Sequence, residues 1–185
     1  DSVVAKWLLP PFDMDGWRID VANMTGRLGT VDLNETVRTT LRQTMIDVDP
    51  ETLLVAEITN DAAGDLTGDG WHGAMTYASF TRPLWAWLTD RSQGPGAPWY
   101  FGQPVGGIPA YTARDFAESV VRFTASIPWR VRLGNMQPLD THDTARFATR
   151  AAAGSIPVAL GLSLTLPGLP TLFAGDEYGA VGDDG

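Results

Sequence analysis

At 185 residues with 44% hydrophobic residues and no cysteine, the chain can bury a sizeable core and reads as globular throughout, without disulfides, thiolate chemistry or thiolate metal sites. Its formal net charge of -9 and pI near 4.5 argue against a nucleic-acid partner, which would want a basic face, and leave a neutral or cationic ligand open. The nearest approach to a membrane span, Ile156 to Leu166, is interrupted by Pro157, followed by Pro167 and short of the ~18 residues required, so no membrane partner is expected.

In chain order, apolar strand-like runs alternate with helical patterns, the sign of parallel β/α units, and five such units are expected. The first strand is predicted over Gly16 to Val21. A helix follows over Glu35 to Asp47, where Val37, Leu41 and Met45 recur every four residues and Pro50 marks the end. Leu53 to Ile58 is the second strand. An Asp- and Gly-rich loop, Asn60 to Gly70, leads past His72 to a weaker strand at Ala74 to Ala78 and a helical run containing Leu84, Trp85 and Leu88. Ser92 to Pro109, dense in Gly, Pro and aromatic residues, reads as a long ordered loop in which Trp99, Tyr100 and Phe101 want burial. A helix is expected over Ala113 to Ile127 with Phe116, Val120, Phe123 and Ile127 on one face. A strand near Met136 to Leu139, a short helix from Thr144, a second helix over Ile156 to Leu166 and a last strand over Thr171 to Ala174 complete the pattern.

A complete (β/α) barrel takes ~250 residues, so five units have the right density but fall three short of closure. An open doubly wound sheet is the alternative, although no Gly-rich phosphate loop follows any of the strands. The chain starts at Asp1 rather than Met with no leader pattern before its first structural segment, and is expected to be a piece of something longer. Its localisation is open, with the cytoplasm slightly favoured, and so is its oligomeric state.

Three acidic residues each close a short apolar segment: Asp20 in Gly16-Trp-Arg-Ile-Asp20, Glu57 in Leu53-Leu-Val-Ala-Glu57 and Asp143 in Leu139-Asp-Thr-His-Asp143. Barrel enzymes carry their chemistry at the carboxyl ends of strands, so carboxylates from separate strands converge on one pocket, and two of them can divide the work on a glycosidic bond. The two-residue strand period puts Arg18 on the same face as Asp20, where a guanidinium favours the ionised carboxylate that a nucleophile needs. The bland alternative is a buried Arg-Asp pair. Glu57 follows four apolar residues whose desolvation favours the protonated form of an acid, or it caps the next loop. Asp143 caps a helix beginning at Thr144, or holds sugar hydroxyls with His142 donating beside it. Asp176 and Glu177 read as structural carboxylates capping amides or pairing with Arg, and His72 as a packed loop histidine. Trp85 and Trp87 read as core and surface residues respectively.

Gly16-Trp-Arg-Ile-Asp20 resembles the nucleophile motif of the α-amylase family of glycoside hydrolases, including its bacterial α-glucosidase and neopullulanase-like members. Leu54-Val-Ala-Glu57 is similar to the acid/base strand, Leu139-Asp-Thr-His-Asp143 to the transition-state-stabiliser motif, and Gly168 to Gly179 to the final barrel strand. Their order matches as well. The resemblance implies an α/β fold, the C-terminal part of a TIM (β/α)8 barrel truncated at its N-terminal side. Residues 1–185 would supply strands four to eight, with the first three β/α units and a C-terminal β-domain outside the sequence. It implies Asp20 as nucleophile, Glu57 as general acid/base, Asp143 as stabiliser, and Arg18 and His142 binding around the reacting ring. It further implies retaining attack on α-glucosidic bonds of maltooligosaccharides or related α-glucans, with no cofactor and no metal in this region. The sequence departs from many members at Asn23-Met24, where Lys-His is common, and at Ile58, where an aromatic is frequent. Product size and linkage preference therefore stay open, as does the choice between hydrolase and transglycosylase.

Two other readings compete. A metal-dependent barrel hydrolase would use Asp20, Glu57, His142 and Asp143 as ligands, but two distant histidines give no His-x-His or Glu-x-x-His pair. A truncated domain that binds α-glucan without cleaving it is the second, and the presence of all three carboxylates argues against degeneracy.

Overall fold

The computed structural model describes residues 2–90, 99–100, 103–104 and 109–182. In chain order the elements are α1 (Val3–Leu8), β1 (Gly16–Ile19), β2 (Arg27–Leu28), β3 (Val31–Asp32), α2 (Asn34–Val48), β4 (Leu53–Ile58) and β5 (Gly73–Thr76). A π-helical turn (Tyr77–Thr81) runs into α3 (Arg82–Leu88), then come β6 (Trp99–Tyr100), β7 (Gln103–Pro104), α4 (Ala113–Thr124) and α5 (Trp129–Arg132). The chain continues with β8 (Met136–Pro138), α6 (Phe147–Arg150), α7 (Ser155–Thr165), β9 (Leu169–Thr171) and a 3-10 turn (Asp176–Tyr178). The chain divides into two compact units, Asp1–Met75 with Ser126–Asn135, and Thr76–Ala125 with Met136–Gly185.

In the first unit the strand order is β1-β4-β5, and β1 and β4 run parallel with Gly16 opposite Leu53 and Ile19 opposite Ala56. Gly16 is required there, because a Cβ would stand 2.1 Å from the Leu53 carbonyl oxygen. β4 is buried from Leu54 to Ile58, as a parallel strand covered on both faces should be, which is why its bounds were readable from an unbroken apolar run. Its core joins Leu54, Ala56 and Ile58 to Met45 of α2, Leu66, Trp71, Ala74, Ile127 and Val131. α2 adds Leu41 and Val48 at the predicted spacing, but it also buries Arg38, whose guanidinium pairs with Asp65 at 3.6 Å and Asp69 at 3.3 Å. This pairing pins the helix to the Asp- and Gly-rich loop, since an arginine is buried only when its charge is met. His72 is indeed a packed histidine: its backbone N–H donates to the Leu54 carbonyl at 2.8 Å, and its Nδ1 accepts from the Leu54 N–H at 2.8 Å.

In the second unit β8 and β9 pair in parallel, Met136 opposite Leu169 and Pro138 opposite Thr171. Side chains take up the carbonyls along and just beyond β8. Thr76 donates to Met136, Ser163 to Gln137, Thr81 to Pro138 and the Trp85 indole to Leu139, at 2.6 to 2.9 Å. Each leaves no buried carbonyl to be desolvated without a partner. The core around them holds Phe80, Leu84, Trp85, Leu88, Phe116, Leu139, Phe147 and Ala159. Trp85 is fully buried edge-on to Phe147 with ring centroids 5.6 Å apart, and Trp87 is partly buried.

Several boundaries differ from expectation for local reasons. β1 stops at Ile19 because Val21 turns to a φ of 43°. The predicted strand over Ala74 to Ala78 ends at Thr76, where the π-helical turn begins. α4 stops at Thr124 rather than Ile127, a residue that precedes Pro128 and is biased away from helical backbone. β9 lies over Leu169–Thr171 instead of Thr171 to Ala174. The expected aromatic loop from Ser92 to Pro109 lies largely outside the described residues; backbone pairing joins Trp99–Tyr100 to Gln103–Pro104.

Candidate active site

In the first unit, the parallel register that sets Ile19 beside Ala56 delivers Asp20 and Glu57 one residue later on neighbouring strand ends. Arg18, two residues before Asp20 on the same face, bridges them. Its Nη1 donates to Asp20 Oδ1 at 2.5 Å and its Nη2 pairs with Glu57 Oε1 at 2.8 Å. The strand period pairs Arg18 with Asp20; in the structure it also holds Glu57. Behind the guanidinium, Nε and Nη2 approach the Met75 sulfur of β5 at 3.4 and 3.5 Å, a contact with no warning in the sequence.

The two carboxylates differ in environment. The Asp20 side chain is 76% exposed and the Glu57 side chain 4%. Glu57 is further fixed by the turn after Asp20. The Val21 N–H donates to Glu57 Oε2 at 2.7 Å and the Ala22 N–H to the Glu57 carbonyl at 3.0 Å, which requires the left-handed backbone at Val21. A β-branched residue adopts that conformation at a cost of about 1–3 kcal/mol, and such outliers gather at functional sites. Asn34, buried at the start of α2, donates to the carbonyls of Ala22 at 2.7 Å and Thr25 at 2.9 Å and holds the far side of the same turn. The arrangement offers one accessible carboxylate and one sequestered carboxyl, locked by a shared guanidinium.

In the second unit His142 and Asp143 form the tip of the turn after β8. His142 Nε2 lies 3.4 Å from Asp143 Oδ2, with the side chains 59% and 32% exposed, so both groups are presented outward. Asp143 does not cap a helix at Thr144. The helix begins at Phe147, and the carboxylate receiving its N–H, at 2.5 Å, is Asp140. The tip is held from below by Thr141, whose Oγ1 accepts from the Asp143 N–H at 3.2 Å and shares a 3.0 Å hydrogen bond with the Tyr77 hydroxyl. The Thr141 N–H donates to Thr144 Oγ1 at 3.0 Å.

Asp176 and Glu177 have the structural roles expected. Asp176 Oδ2 accepts from the Phe173 N–H at 3.0 Å and Glu177 Oε2 from the Gly175 N–H at 2.7 Å, while Asp176 Oδ1 lies 3.6 Å from Arg146. Among the described residues no three His, Asp or Glu side chains are grouped as a metal site requires, and no helix is long and apolar enough to cross a membrane.

A family model described as alpha amylase, catalytic domain, matches residues 1–184. The chain is 27% identical over 181 residues to a cyclomaltodextrinase of Geobacillus thermopakistaniensis, covering 97% of this chain and 26% of that protein. It is 26% identical over 171 residues to neopullulanase 2 of Thermoactinomyces vulgaris, covering 91% of this chain and 25% of that one. The solved structure of the Nostoc punctiforme debranching enzyme in its native form superposes with a TM-score of 0.78 at 28% identity, covering 97% of this chain and 35% of its own. The chain thus spans about a quarter of the curated relatives and about a third of the solved one. With its parallel strands, its intervening helices and a match over nearly its whole length, the chain belongs to the α-amylase catalytic-domain family and forms part of that family's (β/α) barrel.

Proposed function

We propose that the protein carrying this chain is a glycoside hydrolase that cleaves α-glucosidic bonds of maltooligosaccharides or related α-glucans by retaining double displacement, and that β1, β4, β5, β8 and β9 are strands four to eight of its barrel. The observation that carries this reading is the pair of strand-end carboxylates held by Arg18, one exposed and one buried. A retaining glycosidase needs two such groups with different duties.

In this reading an Asp20 oxygen attacks the anomeric carbon while Glu57 gives its proton to the departing glycosidic oxygen. The glycosyl ester on Asp20 is then hydrolysed by water from which Glu57 takes a proton, so the product keeps the α configuration. Arg18 orients Asp20 and holds Glu57 beside it. Asp143 and His142 are assigned to stabilising and binding the reacting ring on their motif, and their outward presentation supports that use. The substrate class rests on the family and on relatives described as cyclomaltodextrinase and neopullulanase.

The test is product analysis on maltotriose, a cyclodextrin and pullulan, using the full natural protein and its Asp20→Asn and Glu57→Gln variants. Hydrolysis by the wild type, reduced by roughly 10³-fold or more in Asp20→Asn, supports the reading. Glu57→Gln should spare substrates with activated leaving groups more than natural ones, since these need little protonation. Oligosaccharide binding without any product would instead favour a glucan-binding module.

A further inference from the structure

Among the described residues of the second unit, Asp140 is a carboxylate with no place in the chemistry above, and its surroundings do not suit an ion. Its side chain is completely buried. Oδ2 accepts from the Phe147 N–H and so closes the turn from Asp140 to Phe147 that carries His142 and Asp143. Oδ1 is sealed from solvent without a hydrogen-bond partner. The nearest cation, Arg146 Nη1, stands 3.7 Å from Asp140 Oδ1 and 3.6 Å from Asp176 Oδ1, outside hydrogen-bonding distance of both, and is itself a buried atom without a partner. Arg146 is committed elsewhere: Nη2 donates to the Ala174 carbonyl at 2.8 Å and the guanidinium lies 4.0 Å over the Phe173 ring. One guanidinium is therefore shared at ion-pair distance between two carboxylates and donates a hydrogen bond to neither. Two like charges enclosed with a single counter-charge cannot both remain ionised cheaply.

We propose that Asp140 and Asp176 hold one proton between them beneath Arg146, and that this shared proton keeps the Asp140–Phe147 turn closed and Asp143 in position. The proton resides on Asp140 Oδ1, converting an orphaned acceptor into a donor toward Asp176, while Oδ2 keeps the Phe147 N–H. The cluster is then electrically neutral, with a single carboxylate charge against Arg146. Burial pushes the Asp140 carboxyl up to about 7, the Asp176 charge adding to it and the Phe147 N–H and Arg146 opposing it. Other titratable or charged groups on the adjoining elements have interactions of their own. Glu177 is on the Gly175 N–H, His142 on Asp143 and the Tyr77 hydroxyl on Thr141, while Arg82 and Arg150 lie on α3 and α6. Asp140 is thus a positioning residue, acting on the substrate only through the turn it closes; this part of the inference rests on the role proposed for Asp143.

Three kinds of measurement test it on the full natural protein. Carbon-13 NMR of the Asp140 side-chain carboxyl should show titration near neutrality in the wild type and at lower pH in Asp176→Asn. A wild-type carboxyl ionised at pH 5 overturns the proposal whatever the protein's activity. For Asp140→Asn, the amide reproduces the neutral acid, accepting from Phe147 and donating to Asp176. That variant should keep its urea midpoint at pH 8 and lose the wild type's fall in stability between about pH 4 and 7, whereas Asp140→Ala should be destabilised at both ends. Equal destabilisation of Asn and Ala variants at pH 5 would mean an ionised Asp140 paired with Arg146, against the proposal. In hydrolysis at pH 6, Asp140→Ala should lose about tenfold or more in kcat with little change in KM, and Asp140→Asn should restore it. Restoration that fails while the NMR titration is as predicted would refute the positioning role.

Discussion

Removing Arg18 separates its two ion pairs energetically, because one partner is buried and the other is not. Arg18→Met keeps most of the aliphatic stem and deletes the guanidinium. Glu57, with a side chain 4% exposed, would lose its 2.8 Å partner and keep the Val21 N–H, whereas Asp20, 76% exposed, would simply be hydrated. Stranding a buried carboxylate costs about 3–5 kcal/mol, and an exposed pair is worth about 0–1 kcal/mol. Even with its remaining contacts, the Val21 N–H among them, a loss of about 3 kcal/mol would be a large share of a domain stability of about 5–15 kcal/mol. Double-mutant cycles by urea unfolding at pH 7 give the partition: Arg18→Met with Glu57→Gln should show a coupling of about 2 kcal/mol or more, and Arg18→Met with Asp20→Asn under about 1 kcal/mol. A coupling to Asp20 equal to or above that to Glu57 would refute the argument from burial.

Two further outcomes follow from the first unit. Desolvation, and then the charges of Arg42 and Arg130, lower the His72 imidazole below its usual value of 6.5, and its Nδ1 must stay unprotonated to accept from Leu54. A depressed native value means that the unfolded chain binds the proton first. The contribution of His72 to stability is therefore complete above pH 6.5 and declines as pH falls through the lower native value. His72→Asn should remove that decline from urea midpoints measured between pH 8 and pH 5, and an identical pH dependence would count against it. Gly73→Ala places a Cβ 2.0 Å from the Gly134 carbonyl oxygen and 2.7 Å from the Asn135 nitrogen. The backbones must part by more than an ångström, weakening the 3.0 Å bond from the Ala74 N–H to Asn135 Oδ1, and a loss of about 2–4 kcal/mol is expected. An unchanged thermal midpoint would contradict this.

The parts of the fold that the sequence disclosed are those where burial is continuous or strictly periodic. β4 emerged from Leu53 to Ile58 because both its faces are covered, and α2 because Val37, Leu41 and Met45 repeat at helical spacing. The hairpin of β2 and β3 did not, since two-residue strands made of Arg-Leu and Val-Asp carry no pattern. Arg18 beside Asp20 was visible through the strand period, but its hold on Glu57 depends on the β1–β4 register, which no local pattern encodes. The same blindness hid Arg38 and the enclosure of Asp140 beside Arg146, whereas Asp176 reads from the sequence as a carboxylate that caps amides or pairs with Arg. A charged residue in a sequence reads as surface, and only tertiary pairing reveals that it is enclosed. For Asp143 the apparent helix start at Thr144 was misleading, because the chain first makes a turn closed by Asp140 and becomes helical at Phe147.

The central claim, that Asp20 is the nucleophile of a retaining α-glycosidase, is tested most directly by trapping. The full natural protein is incubated with a fluorinated α-glucosyl fluoride, which forms the glycosyl-enzyme readily and releases it slowly, and is then digested and mapped by mass spectrometry. The account predicts a single glycosyl adduct on the peptide containing Asp20, absent in Asp20→Asn and chased by maltose as acceptor. An adduct on Glu57 or Asp143, or turnover that yields the β-anomer with no adduct at all, would contradict it.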